Sequence, residues 1–293
     1  MNTPSLNRAS IWDSIDGVLV LNLDRSPERM ERFMQKNGHL IPADKLVRIS
    51  AAYGRDLPGY GEAPWFTERT GERAKFWAGT AGCALSHRRA IEYASAHGWK
   101  TVLILEDDAV LNATDDGLWL MRCALRALKG RYMLYPGFSR PTPYGRCIRR
   151  KGDSSLWQVE GVLSTYSYIV SKELYPTLLS KLPTEETIWE WVSKNRAIDS
   201  FYRDVISAMG SVKTYVMLPD VIIHEDGPSE IAGNTVRDAS HDFTQEPLSY
   251  SSWKGMMRVV SRPIRGCKRQ LNSTRTWLRA RRGGFPGFRK RHK

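Results

Sequence analysis

An α/β fold built on a mainly parallel, doubly wound sheet is what this sequence predicts. Three observations carry it. Short runs rich in Val and Leu, such as "GVLVLNL" and "TVLILEDD", have the pattern of strands buried on both faces. They alternate with amphipathic helical stretches, the order that generates βαβ units. At 293 residues and 33.4 kDa, the chain is long enough to bury a sizeable core.

The elements follow in order. Residues 17–23 form the first strand, and "DRSPERMERFMQKNG" the helix after it. There Ser26 is placed to cap, Pro27 suits the first helical position, Met30, Phe33 and Met34 share a face, and Gly38 closes the helix. "VRISAA", 47–52, is a second strand. Residues 53–72 carry Gly, Pro and charge without a period, the composition expected of a mobile functional loop. "GTAGCALSHRRAIEYASAHG" predicts a helix from about Thr80 to His97, with Ala84, Leu85, Ile91 and Ala94 inward and Gly98 as the stop. "TVLILEDD" is the next strand and "DGLWLMRCALRALKG" the next helix. "RYMLYPGF" is a strand, "YGRCIRRKGDSSLWQVEG" a basic hairpin, and "VLSTYSYIVS" an alternating strand. "KELYPTLLSKL" is helical although Pro176 weakens its middle, and "IDSFYRDVISAMG" is an amphipathic helix. "VKTYVMLPDVIIHEDG" supplies two short closing strands, and no internal repeat is visible.

The formal charge of +13 is local. Residues 250–293 hold 14 Lys or Arg and no Asp or Glu, which leaves 30 basic against 31 acidic residues in the rest. A nearly neutral body excludes a nucleic-acid-binding surface spread over the whole chain, and no nucleic-acid partner is expected. No stretch approaches the roughly 18–20 apolar residues that span a bilayer, and the N-terminus has no signal-peptide pattern, so the expected location is cytoplasmic. Cys83, Cys123, Cys147 and Cys267 lie far apart, without zinc or disulfide spacing, and are expected to be buried thiols.

The chemistry concentrates in "VLILEDDAV", where Glu106, Asp107 and Asp108 end a strand. In open α/β sheets ligands bind beyond the carboxyl ends of strands. Strand alternation would turn Glu106 and Asp108 one way and Asp107 the other, an acid-x-acid pair suited to Mg²⁺ or Mn²⁺. Capping of the next helix, or pairing with surface arginines, is the other reading of the same residues.

"VLNLDRSPERMERF", "GTAGCALSHRRAIEYA" and "VLILEDDAVL", in this order and separation, resemble the three N-terminal motifs of glycosyltransferase family 25. That family contains bacterial lipopolysaccharide and lipooligosaccharide galactosyltransferases and animal collagen galactosyltransferases. Downstream, "STYSYIVSKELYPTLL" is similar to its Gly-Thr-x-x-Tyr-x-x-Ser block, with Thr165, Tyr168 and Ser171 retained and Ser164 in place of Gly. "AIDSFY" and "HEDGPSEIAG" are similar to two further segments, with His224 where Gln is commoner. The resemblance covers roughly residues 17–233 and not the tail.

It implies a GT-A-like, Rossmann-type domain over 1–249, a UDP-sugar donor, Mn²⁺ or Mg²⁺, and transfer of a hexose, galactose first, to a glycan acceptor of lipopolysaccharide. A protein acceptor is one alternative, and a nucleic-acid-binding protein acting through the basic tail is the alternative of another class. Carried over, Glu106, Asp108 and His224 become metal ligands with Asp107 in support; His224 also reads as a satisfied strand-end histidine. Asn22, Asp24 and Arg25 meet the nucleotide, with Arg25 preferred for donor contact; Arg29 and Arg32 lie a turn apart, so that one could reach the diphosphate, but both read first as surface charges. Ser86 and His87 contact donor or acceptor, and Gly79 and Gly82 admit close backbone approach. They are no nucleophile and base pair, since adjacent helical residues point about 100° apart. Asp199 becomes the general base of an inverting transfer, or simply the start of a helix.

Residues 250–293 form a separate basic tail. Ile264, Cys267, Leu271 and Leu278 follow helical spacing with Trp277 beside them, which reads as a surface anchor for anionic lipid through 254–293, or as a disordered tail. The anchor reading places the protein peripherally on the inner face of the cytoplasmic membrane, next to a lipid-linked acceptor. The sequence does not fix an oligomeric state.

Overall fold

The structure is a computed structural model that describes residues 9–67, 71–141, 144–225 and 247–249, together with 271, 273–279, 281 and 282. A short helix α1 (Ala9–Trp12) precedes β1 (Gly17–Asn22), α2 (Pro27–Asn37) and β2 (Leu46–Ser50). Then come α3 (Glu72–Ala96), β3 (Thr101–Glu106), β4 (Ala109–Leu111), α4 (Asp115–Ala127) and β5 (Tyr132–Tyr135). The strands β6 (Arg140–Pro141), β7 (Tyr144–Lys151), β8 (Ser154–Val159), β9 (Val162–Leu163) and β10 (Ser167–Ser171) follow. Three helices, α5 (Tyr175–Lys181), α6 (Ile188–Asn195) and α7 (Ile198–Phe201), lead to β11 (Lys213–Leu218), β12 (Ile222–His224) and β13 (Leu248–Ser249).

Among the described residues the main sheet has nine strands in the order β13-β7-β8-β11-β5-β10-β3-β1-β2. The pairings make β8 and β10 run against the other seven, so the sheet is mainly parallel as predicted. Strands β1 and β3 are buried on both faces because helices cover both. Leu19, Leu21, Val102 and Ile104 pack with α3, α5 and α6 on one side. Val18, Val20, Leu103 and Leu105 pack with α1, α2 and α4 on the other. Each such side chain, fully removed from water, stabilises the fold by roughly 1.5–3 kcal/mol. No helix among the described residues is long and apolar enough to cross a membrane.

Several elements differ from their sequence-based outline. Helix α3 starts at Glu72, about eight residues earlier than its motif predicts, because Ala74, Trp77 and Ala78 extend its buried face back into the loop. That loop is packed rather than free: Phe66 meets Trp189 edge-on at 4.8 Å, and the Trp189 indole donates to the Pro58 carbonyl at 2.6 Å. Ser26 caps nothing with its side chain; its carbonyl instead accepts from Asn22. "VLSTYSYIVS" breaks into β9 and β10 at Ser164, whose φ is +96°. "IDSFYRDVISAMG" is one α-turn continued by a π-helical turn at Tyr202–Ile206.

Two glycines let the loop after β2 lie directly on α3. A Cβ on Gly82 would stand 2.4 Å from the Ala52 carbonyl oxygen, and one on Gly54 1.7 Å from that of Ala78. Ser86 staples the crossing, accepting from the Ala52 N–H at 2.9 Å and donating to the Gly82 carbonyl at 2.6 Å. Backbone cannot yield as a side-chain tip can, so Gly54→Ala should cost about 1–3 kcal/mol or more. The check is a lower urea midpoint at unchanged slope; a midpoint equal to wild type would contradict this packing.

Candidate functional site

The carboxyl ends of the three parallel strands β1, β2 and β3 open into one cleft. Leu21 and Leu23 line it from β1, residues 51–55 from β2, and Glu106, Asp107 and Asp108 from β3. Helix α3 adds Lys75, Gly79, Cys83, Ser86 and His87, α2 adds Arg29, and β12 adds His224. This is where an open α/β sheet receives ligands.

The three carboxylates are divided between two sets of partners. Strand β3 ends at Glu106, which keeps the strand's alternation and faces α3: the Thr165 hydroxyl donates to its Oε1 at 2.9 Å, and His87 Nε2 stands 3.4 Å from the same atom. Asp107 turns to the other side, accepting from Asn22 Nδ2 at 2.7 Å and from Arg29 Nε at 2.8 Å. Asp108 lies in the turn after the strand, so alternation no longer governs it. Its Oδ2 meets Arg29 at 3.0 Å and His224 Nε2 at 3.2 Å. The expected Glu106/Asp108 side thus becomes a grouping of Asp107 with Asp108 around Arg29, while all three acids still reach one cleft.

Electrostatics follow that division. Burial works against the Arg29 charge, but the Asp107 hydrogen bond and the Asp107 and Asp108 charges outweigh it and hold the guanidinium charged more firmly than usual. Burial also opposes ionisation of Asp108, and His224 and Arg29 together overcome it, lowering its pKa. Asp108 Oδ1, in contrast, is shielded from solvent and has no hydrogen-bond partner among the described residues.

His224 arrives through a small ribbon. Strand β12 pairs antiparallel with β4 in the register His224↔Ala109. Asn37, at the end of α2, clamps β4 by donating to the Ala109 carbonyl at 3.0 Å and accepting from the Leu111 N–H at 2.9 Å. The ring of His224 also rests edge-on against Tyr166 at 5.3 Å.

The other sequence-derived residues fall in several places. Asn22 is buried beneath the acids and accepts from Arg48 Nε at 2.9 Å. Asp24 is drawn away from the cleft: it accepts from Ser50 and from Arg48, each at 2.6 Å, and the Ser50 bond followed by the Arg48 contacts lowers its pKa. Arg25 stacks over the Tyr53 ring at 4.4 Å from its centroid. Gly79 lines the cleft, Gly82 serves the loop crossing, and His87 is wholly buried, with Nδ1 2.9 Å from the Tyr168 hydroxyl. Asp199 is half-buried outside the cleft lining, its carboxylate accepting from the Ser200 N–H. Burial, then the charges of Glu106 and Asp199, push the Cys83 thiol well above its ordinary pKa.

Arg29, for which the sequence favours the surface over a diphosphate contact, is brought by the structure to the centre. A signal is present: it lies in the first turn of α2, where the helix dipole disfavours a cation unless an acid compensates. Cys83, Arg55 and Lys75 also line the cleft, although the sequence pattern does not single them out for it.

In the tail, residues 271, 273–279, 281 and 282 are helical as the spacing predicts, with Leu271 and Leu278 exposed. Trp277 lies between Lys194, at 5.3 Å, and Arg281, at 5.4 Å, and Ser273 donates to the Lys194 carbonyl. Ile264, Cys267 and the motif segment after Glu225 lie outside the described residues.

No protein-family model matches the sequence, and no curated protein matches it. Among solved structures, mannose-1-phosphate geranyltransferase from Thermus thermophilus matches over 80% of this chain and 80% of its own, at 12% identity and a TM-score of 0.37.

Two outcomes are expected here. Substituting Arg29→Met and Asp107→Asn singly and together should give a coupling of about 0.5–3 kcal/mol in urea denaturation, whereas additive effects would mean the pair is not formed. Ser164 holds a φ that side chains rarely adopt, next to the Thr165 that bonds Glu106. Ser164→Gly should therefore raise stability by about 1 kcal/mol or more, read as a higher melting temperature; an unchanged or lower one would contradict the strain.

Proposed function

We propose that this chain is a glycosyltransferase that moves a hexose, galactose first, from a UDP-sugar to a glycan or lipid-linked glycan acceptor of a cell-surface glycoconjugate such as lipopolysaccharide. The observation that carries this reading is Asp108: a half-buried carboxylate held ionised at the carboxyl end of a parallel strand, with one oxygen unpartnered among the described residues. Around it the cleft combines carboxylates with the cations Arg55 and Lys75. An anionic diphosphate accompanied by a cation matches that mixture better than either charge alone.

A hard divalent ion fits these donors, because Mn²⁺ and Mg²⁺ take carboxylate oxygens and the free Asp108 Oδ1 offers one. Glu106, Asp108 and His224 would hold it, with Asp107 kept in place by Asn22 and Arg29. Such an ion, when bound, neutralises charge on a departing diphosphate. The chain's own residues do the rest. Arg55 and Lys75 attract the phosphates, and the glycine crossing of the loop on α3 brings Tyr53 and its neighbours against the donor.

In the inverting reaction, the acceptor oxygen bonds to the anomeric carbon while the bond from that carbon to the diphosphate oxygen breaks. Asp199 takes the proton of the acceptor hydroxyl, and UDP leaves. What supports Asp199 is its half-buried position and a charge that is felt at Cys83 on the cleft wall. The exposed Arg275, Arg279, Arg281 and Arg282, with Leu271 and Leu278 on the same helix, support attachment of the tail to anionic lipid.

A screen of UDP- and GDP-sugars, with and without Mn²⁺, is expected to show consumption of a UDP-hexose. Asp199→Asn should lower its turnover by about 10²–10⁴ while donor affinity, measured by calorimetry, stays near wild type. Asp108→Asn should weaken donor binding as well. Retention of the donor's anomeric configuration would remove Asp199 from this role, and failure to bind UDP or consume any nucleotide sugar would overturn the reading as a whole.

A further inference from the structure

We infer a second kind of metal site in the same cleft, a thiophilic one made by Cys83, His87 and Glu106 and suited to Zn²⁺. The three side chains bring Sγ, an imidazole nitrogen and a carboxylate oxygen within 4.8 Å of one another. Cys83 and His87 are four residues apart on α3, so both project from one face of the helix, and Glu106 meets them from the end of β3. The inference concerns an ion held by this chain and does not rest on the transferase reading.

His87 is the observation that points to a ligand. Its ring is fully buried, and among the described residues Nε2 has no hydrogen-bond partner although it faces Glu106 Oε1 at 3.4 Å. Nδ1 is engaged by Tyr168 at 2.9 Å, and the Tyr168 hydroxyl lies 3.4 Å from that of Tyr202. With Nδ1–H donating to Tyr168 and the Tyr168 O–H directed to Tyr202, Nε2 presents its lone pair toward sulfur and carboxylate. Metal-bound histidines are oriented by such a partner on the opposite nitrogen. Glu106 has its own support in Thr165.

The donor types choose the metal. Thiolate and imidazole select Zn²⁺ and its neighbours in the first transition row, while Mg²⁺ and Mn²⁺ prefer all-oxygen sets. All three donors also line the cleft, so a fourth position faces its contents, the arrangement of zinc sites that keep a place for water or substrate. Cys83 loses a proton to bind, which the ion's charge makes favourable despite burial.

The test is titration of the metal-stripped full-length chain with Co²⁺, followed by displacement with Zn²⁺. One equivalent of Co²⁺ should bring a thiolate-to-cobalt absorption in the near ultraviolet, which Zn²⁺ removes. Cys83→Ser should abolish it, Tyr168→Phe should keep it while weakening affinity by about 10–100-fold, and Asp108→Asn, His224→Ala, Cys123→Ser and Cys147→Ser should leave it. X-ray absorption of the wild-type Zn²⁺ form should show one sulfur at about 2.3 Å, a readout that needs no variant. A shell of oxygen and nitrogen alone, a band that survives Cys83→Ser, or a band lost with Asp108→Asn or His224→Ala would overturn the site. None of these outcomes depends on whether a nucleotide sugar is consumed.

Discussion

Everything at the centre of this molecule depends on accommodating three consecutive carboxylates at the end of one buried strand. Left side by side in a poorly solvated place, their like charges would repel one another. The fold separates them instead. Glu106 goes to the α3 side with Thr165 and His87, while Asp107 and Asp108 go to the α2 side and share Arg29. A partly buried charge without its partner is strongly destabilising, so Arg29 determines whether β3 can end in this sequence at all.

That requirement explains why distant elements converge here. Asn22, the last residue of β1, donates to Asp107 and to the Ser26 carbonyl, which ties the acid to the start of α2. Arg29 stands in the first turn of that helix. At its far end Asn37 grips β4, and β4 pairs with β12 to deliver His224 onto Asp108. One strand end, one helix and one two-stranded ribbon therefore form a single hydrogen-bonded frame, and the cleft takes its shape from it.

Much of this is legible in the sequence, and the exceptions have physical reasons. Doubly buried strands such as 17–22 and 101–106 announce themselves because helices on both faces demand unbroken apolar runs. The position of the acids follows from the same pattern. Their directions do not, since Asp107 and Asp108 belong to a turn and the ladder no longer sets which way they point. The early start of α3 is hidden because its first turns mix the buried Ala74, Trp77 and Ala78 with the charged Glu72, Arg73 and Lys75, so no clear period points back into the loop. Arg29 is hidden because its partners are nearly eighty residues away, a distance over which local pattern carries no information. Ser164 is hidden too, because a positive φ is not something that its residue type announces.

The end of β3 also separates two chemistries. Toward α3 the cleft offers sulfur and imidazole; toward α2 and β12 it offers carboxylate oxygens neutralised by a guanidinium. Glu106 stands with the sulfur and imidazole, and Asp108, with its unpartnered oxygen, stands with the guanidinium, so the hard ion proposed above would join the two sides. Glu106 closes the strand and Asp108 lies in the turn that follows, so both sets line one cleft at a single strand end. The short distance between them is not an accident of side-chain choice. It is fixed by the backbone, since Glu106 is the last residue in the ladder and Asp108 the second one outside it.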